Sequence, residues 1–226
     1  MYSETFPLNS KSSYKELETV DFVLDYSEKK LVLGSVRIEG LLRCNSTGTT
    51  RNVAELVQFD GSVGVHQLID SATVEIQNAG IVESITSDYG RVVKVNRMAS
   101  MVDDDYFDTQ KVTELSVPVN RVTRELTRAV NTDEDVSFSF KPHLCVNRNA
   151  GGDGTLSYRK SGYIKISLNL TRNSNFFNGS GNTATQNYSL SKLKMRYLTV
   201  PDDGQDQLNL MQTTYTMKNS LNSELS

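Results

Sequence analysis

Apolar and polar residues alternate strictly in several segments of this 226-residue chain, and the longest such segment is 163–171. There Ile164, Ile166 and Leu168 are separated by polar residues. Because neighbouring side chains of a strand point to opposite faces, this period predicts strands with one buried and one solvated face. The same period occurs in 20–24, 31–44, 72–77, 81–86, 136–141 and 188–200. It predicts an antiparallel sandwich or barrel, since no repeated strand–helix–strand order is present.

Two segments have helical spacing instead. Asp88 is a residue type that caps helices, and it precedes apolar residues three or four positions apart, which are Val92, Val95, Ala99 and Val102. A second helix is predicted to begin at Pro118 and to carry on one face Val119, Val122, Leu126 and Val130. Both helices would lie in a crossover between groups of strands.

The charge balance excludes a protein that binds nucleic acid through its overall charge. The 24 basic and 27 acidic residues give a formal net charge of −3, whereas such proteins are strongly basic. A weak local contact with a genome stays open, because Arg121, Arg124 and Arg128 share one face of the second predicted helix. Arginines in this arrangement can pair with phosphates. The alternative is a solvent-exposed helix face.

The residue types that most often carry catalysis or bind metals are few and scattered. His66 and His143 have no Cys or His at ligand spacing, so we interpret both as structural or surface residues. The sequence contains no nucleophile elbow, zinc-protease motif or phosphate-binding loop. Cys44 and Cys145 lie far apart, which predicts neither a disulfide scaffold nor a metal site. We therefore predict a non-enzymatic protein with no catalytic, cofactor or metal site and no small-molecule substrate.

Acidic and glycine-rich loops offer two weaker alternatives. Asp103–Asp105 provides oxygen ligands for a weak calcium site, but the register of a calcium-binding loop is missing, so we interpret it as a solvated segment. Gly151–Gly154 lies between predicted strands with no helix after it, which is typical of a flexible turn and not of an anion site.

The two ends of the chain differ from its middle. The first residues lack the charged and apolar regions of a signal peptide, and no run approaches the roughly 18 apolar residues of a membrane-spanning helix. We divide the chain into an extended N-terminal arm (1–16), a strand-rich domain (17–200) and a C-terminal connector or tail (201–226). The tail is loosely amphipathic, with Leu208, Met211, Tyr215, Leu221 and Leu225. It predicts either a helix packed on a neighbour or a connector.

Three stretches resemble the jelly-roll capsid proteins of the double jelly-roll lineage of icosahedral double-stranded DNA viruses. Residues 67–94 are similar to a strand and hairpin of these proteins that lead into a helix. Residues 162–173 are similar to their penultimate strand, and residues 190–201 to the strand that closes a first jelly roll. The resemblance implies an all-β, eight-stranded antiparallel jelly-roll sandwich over 17–200, with one or two short helices in crossover loops.

The same resemblance implies a structural role in a virion that is assembled inside the host cell. A double jelly-roll subunit needs roughly twice this length, so three interpretations stay open. The chain is the N-terminal jelly roll of a major capsid protein, a single jelly-roll shell component, or a penton (vertex) or minor capsid protein. Its partners would be copies of itself, as a trimer or pentamer, and other capsid proteins. The loops 45–62 and 173–187 would project for lateral contacts, and the arm 1–16 would order against a neighbour or the inner shell.

The jelly roll predicts which apolar side chains form the core between its two sheets. Their burial would stabilise the subunit by roughly 25 cal/mol per Å2 of apolar surface, without metal or disulfide. The predicted set is Val74, Ile76, Phe138, Phe140, Ile164, Ile166, Leu168, Leu193, Met195 and Leu198.

A lectin-like, receptor-binding β-sandwich is the rival hypothesis, because it would share these strands and loops. Such a domain needs exposed aromatic residues on a concave sheet. The candidates are Tyr158, Tyr163, Phe176, Phe177 and Tyr188, of which the two phenylalanines could instead anchor a loop.

Overall fold

Two antiparallel sheets enclose one apolar core in the computed structural model. The structure describes residues 1–25, 28–46, 56–100, 113–115, 127–131, 134–147, 154–177 and 186–203. In these ranges lie twelve strands, β1 (Tyr2–Thr5), β2 (Thr19–Leu24), β3 (Lys29–Val32), β4 (Arg37–Ser46), β5 (Leu56–Asp60), β6 (Ile69–Ile76), β7 (Gly80–Ile85), β8 (Thr127–Asn131), β9 (Asp135–Phe140), β10 (Thr155–Ser157), β11 (Ile164–Leu170) and β12 (Gln186–Pro201). The helices are a 3-10 turn (Gly64–Leu68), α1 (Tyr89–Ser100), α2 (Tyr158–Ser161) and α3 (Asn173–Phe176).

Eight of the strands follow the order of a jelly roll. In the first sheet β12 lies between β1 and β4, and β4 also pairs with β9. The second sheet has the order β2-β11-β6-β7. Along the chain these eight strands cross from one sheet to the other at each step except the hairpin from β6 to β7, which is the connectivity of a jelly roll. The predicted fold class is confirmed.

Four additional strands extend this eight-stranded sandwich. β3 pairs with the end of β12 and carries β10 at its other edge, while β5 and β8 form a separate two-stranded ribbon. The described strands therefore exceed the eight that the sequence predicts. β5 lies inside the segment 45–62, which we expected to be a projecting loop.

Alternation within the second sheet explains why its strands stack in register. Phe22, Ile166 and Val74 are direct neighbours across three strands, and all three are buried. Asp21, Ser167 and Thr73 form the next row and point to the opposite face. A slip of one residue would exchange these rows, so the pattern specifies the register.

The predicted strand 31–44 is interrupted at Gly34. This residue has φ +85°, a left-handed conformation that glycine adopts most readily. Its amide donates to the carbonyl of Val146, and the amide of Leu33 donates to that of Gly154. The interruption turns the chain from β3 into β4, so one predicted strand becomes two.

A bulge in β12 changes which of its side chains face the core. The pairing with β4 shifts between Ser191 and Lys194, and Lys192 has φ +50°. Beyond the bulge the odd-numbered residues face inward, so Tyr197 is buried and Leu198 is only half-buried. The prediction that Leu198 belongs to the core is therefore wrong, whereas the other nine predicted core residues are buried.

The N-terminal segment forms part of the chain's own sheet. β1 pairs with β12, and the N-terminal amine of Met1 donates to the carbonyl of Thr199 at 2.8 Å. Farther along, Tyr14 is buried and exchanges backbone hydrogen bonds with Leu190. The structure thus differs from our expectation that residues 1–16 need a neighbour to become ordered. The domain bounds stay predictions.

The two predicted helices have different outcomes. The first is confirmed as α1, which begins directly after Asp88. The second is wrong at its end, because Thr127–Asn131 is strand β8, paired with β5. Pairing with a neighbouring strand overrides the helical spacing of Leu126 and Val130 there. The rest of that helix, with Arg121 and Arg124, lies outside the described residues.

The close approach of β4 to β12 predicts a specific sensitivity at Gly40. A Cβ atom there would lie 2.7 Å from Cδ2 of Leu193 and 3.1 Å from the carbonyl oxygen of Ser191. We expect Gly40→Ala to lower the free energy of unfolding by about 1–3 kcal/mol, because overpacking forces its neighbours to move. Urea unfolding followed by circular dichroism measures this. Ser137→Ala, at an exposed position of β9, is the control, and equal stability of both variants would contradict the prediction.

Candidate assembly surfaces

Four charged residues form an ion-pair network on the outward face of the first sheet. Glu4 of β1 lies 2.8 Å from Nε of Arg196 and 3.2 Å from Nζ of Lys194. Glu39 of β4 lies 3.5 Å from Nη1 of Arg196 and 3.7 Å from Nζ of Lys194. Glu4 is directly opposite Arg196, and Glu39 directly opposite Lys194, so the strand register brings opposite charges together.

The network is electrostatically self-contained. The hydrogen bond from Lys194, together with the charges of Lys194 and Arg196, lowers the pKa of Glu4. The charges of Glu39 and Glu4 raise the pKa of Arg196. Two anions and two cations cancel, so the network itself adds no net charge to this face. Water screens these exposed pairs, and they contribute little to stability.

A second charged cluster lies at the end of β12, where the side chains of Lys30 and Asp202 are buried and that of Asp203 is exposed. Lys30 of β3 contacts the carboxylate of Asp203 at hydrogen-bond distance and lies 3.8 Å from Oδ1 of Asp202. Ser157 donates to Oδ2 of Asp202 at 2.5 Å, and the amide of Asp202 donates to the carbonyl of Glu28. The cluster therefore fixes the exit of β12 beside β3 and β10. Sequence reasoning missed it, because Lys30 and Asp202 are 172 positions apart and no local pattern connects them.

A buried polar cluster joins several crossovers on the far side of the core. His66, in the 3-10 turn, lies edge-on to Phe140 and 3.7 Å from Oε2 of Glu114. Its Nδ1 lies 3.5 Å from the hydroxyl of Tyr89, which also accepts the amide of His143 at 2.6 Å. The structure thus places both histidines in the same cluster, with His66 almost fully buried. This arrangement connects α1, β9 and the 3-10 turn.

The aromatic residues of the lectin-like hypothesis are not available as a binding platform. Tyr158, Phe176, Phe177 and Tyr188 are buried, and only Tyr163 is half-buried. Phe176 stacks on Phe59, and the Tyr188 hydroxyl donates to the carbonyl of Thr171 at 2.5 Å. These side chains anchor the segment after β11 to the core, as the alternative interpretation of the two phenylalanines proposed.

The remaining predicted sites fall differently. Asp103–Asp105, Gly151–Asp153 and the tail from 204 onward lie outside the described residues. Across the described ranges, no group of three or more His, Cys, Asp or Glu side chains is arranged to hold a metal ion. Within the same ranges, no helix has both the length and the apolar character needed to cross a membrane.

Comparison with solved structures identifies the fold. VP54 of PBCV-1, fitted into a cryo-EM reconstruction of the virophage Sputnik, matches 90% of this chain and 42% of its own, with 15% identity and a TM-score of 0.53. A quasi-atomic model of the PBCV-1 virus capsid matches 90% of this chain and 42% of its own, with 14% identity and a TM-score of 0.53. The cryo-EM structure of the Sputnik virophage matches 89% of this chain and 48% of its own, with 12% identity and a TM-score of 0.50.

The fold is the jelly roll of these viral capsid proteins. The chain spans less than half the length of each of the solved proteins named. No protein-family model matches the sequence, and no curated protein sequence matches it. The resemblance predicted from the sequence is therefore confirmed as a likeness of fold.

The buried Lys30 cluster and the exposed network should respond differently to loss of a lysine. Lys30→Met removes the cation 3.8 Å from the buried carboxylate of Asp202, which keeps its hydrogen bond from Ser157, so we expect a loss of about 1–3 kcal/mol. Lys194→Met, in the exposed network, should cost much less. Guanidinium unfolding of both variants measures the difference. Asp202→Asn added to Lys30→Met should recover part of the loss, and equal effects of the two lysine variants would contradict the prediction.

The two thiols should react slowly in the folded protein. Burial raises the pKa of Cys44 to about 12 and that of Cys145 to about 11. Since the thiolate is the reactive form, both groups stay protonated at pH 8. We expect an aromatic disulfide reagent to label native protein many-fold more slowly than protein in guanidinium. Cys145→Ser isolates Cys44, and labelling of native protein at the unfolded rate would refute the prediction.

Proposed function

We propose that this protein is a structural subunit of a viral capsid, found in the virion and assembled inside the host cell. It would form one jelly roll of a major capsid protein and assemble with copies of itself into an icosahedral shell. The jelly-roll order of the strands supports the proposal, together with the structural match of VP54 to 90% of the chain at a TM-score of 0.53. A fold alone can serve many functions, so the proposal also needs a physical account of assembly.

The sandwich is suited to be a capsid subunit because its closely packed core keeps the shape of its surfaces the same in every copy. Phe22, Val74 and Ile166 belong to one buried cluster that spans both sheets. Burial of such side chains contributes roughly 25 cal/mol per Å2, and close packing resists deformation. A rigid unit can present the same surfaces in every copy, which symmetric assembly requires. Each contact would bury about 800 Å2 per partner.

The length of the match supports one jelly roll as the unit. The chain covers 42–48% of the solved capsid chains, as one of two similar halves would. We propose the N-terminal jelly roll of such a protein, with β1 (Tyr2–Thr5) as its first strand and β12 as its last, and with residues 201–226 leading onward. A hexon-like role would give trimers and a vertex role pentamers.

Electron microscopy of the purified full-length chain tests this function. We expect regular trimers, pentamers or closed shells in negative stain, either from the chain alone or after co-expression with its partner capsid proteins. Val74→Asp puts a charge into the core and should abolish regular particles, which shows that assembly requires the folded sandwich. A wild-type chain that stays monomeric in both preparations would refute the proposal.

A further inference from the structure

The N-terminal segment combines a firmly held backbone with outward-facing apolar side chains. Its amide at Leu8 donates to the carbonyl of Asp21 at 2.8 Å, and the Thr5 hydroxyl donates to that of Val23. These bonds place the segment along the open side of β2, while β1 continues the first sheet. Pro7 is buried, whereas Phe6 and Leu8 on either side of it are 61% and 60% exposed.

Apolar exposure is concentrated on this edge. The described ranges expose eight large apolar side chains. Five of them lie within residues 1–17, and a sixth follows Thr199, whose amide donates to the carbonyl of Met1. We call these six the N-terminal edge, which consists of Met1, Tyr2, Phe6, Leu8, Leu17 and Val200. The other two, Ile81 and Val95, lie on β7 and α1. Single exposed apolar residues are ordinary, but a concentration of them marks an interaction surface.

The area of the edge indicates the size of its partner. A large side chain has roughly 150–250 Å2 of surface, so the N-terminal edge exposes on the order of 700 Å2. A standard protein interface buries about 800 Å2 on each side. The edge is also elongated, since β1 alone, Tyr2–Thr5, extends about 10 Å at the rise of a strand. A protein surface fits this shape, whereas a small molecule needs a concave pocket.

We propose that the N-terminal edge is the surface on which a second copy of this chain docks. The inference rests on the proposed function, in which copies meet repeatedly. Docking there would remove the six apolar side chains from water and cover β1 and β2, the strands on this side of the two sheets.

Paired substitutions test the proposal on the full chain. Phe6→Ser with Leu8→Ser removes the centre of the edge and leaves the backbone bonds at Leu8 in place. Ile81→Ser with Val95→Ser is the matched control, because it removes the same number of exposed apolar side chains elsewhere. Sedimentation velocity over a hundredfold concentration range should show assembly of the wild type and the control, and a loss of at least tenfold in association for the edge variant. Circular dichroism and thermal unfolding establish that each variant is folded.

Photo-crosslinking provides a readout that does not depend on a destabilising substitution. The chain is produced with a benzophenone amino acid in place of Leu8, once unlabelled and once labelled with nitrogen-15. The two preparations are mixed and irradiated. Crosslinked peptides that combine both labels support docking of a second copy. Crosslinks confined to single copies, including any from position 8 to residues 204–226, would overturn it.

The outcomes separate this inference from the proposed function. A wild type that assembles while the edge variant assembles equally well refutes the N-terminal edge and leaves the capsid role standing. A wild type that never assembles, alone or with its partners, refutes both.

Discussion

The structure depends on the backbone pairing of β12, the sixteen-residue strand at the centre of the first sheet. It bonds to β4 along one side and to β1 and then β3 along the other. The strands that begin and end the sandwich are thereby neighbours. In the first sheet β9 is positioned by pairing with β4 and β10 by pairing with β3. This long strand has a buried face on both sides of the bulge at Ser191–Lys194. Even-numbered residues face the core before the bulge and odd-numbered residues after it, because the extra residue shifts the alternation by one.

Local pattern predicts much of this fold, for a physical reason. Five strands each have one buried face, namely β2, β6, β9, β11 and β12. Their sequences therefore have an apolar residue at about every second position. β1 escapes notice because four residues with a single buried serine carry no such period. β5 and β8 pair mainly with each other. At Gly34 the chain turns and at Lys192 the alternation of buried side chains shifts, and both changes depend on left-handed backbone angles that a hydrophobic pattern does not reveal.

The surfaces were less predictable than the core, since they depend on residues brought together by topology. Lys30, Ser157 and Asp202 meet only because β3 lies between β10 and β12. His66 and Glu114 meet because two crossovers lie against β9. In contrast, the capsid role is a prediction from whole segments that resemble a family, and the solved structures confirm the fold that it implies. Four of the five aromatic residues considered for a binding platform are buried side chains of the core, which composition cannot distinguish from exposed ones.

Because β1 and β12 are neighbours, two domains of this kind can be joined in one polypeptide without disturbing either sandwich. Met1 is bonded to Thr199, so the start of β1 and the end of β12 lie side by side on one flank of the sandwich. Two domains joined in tandem can then stand side by side with a brief spacer, and neither must open its sheets to accommodate the junction.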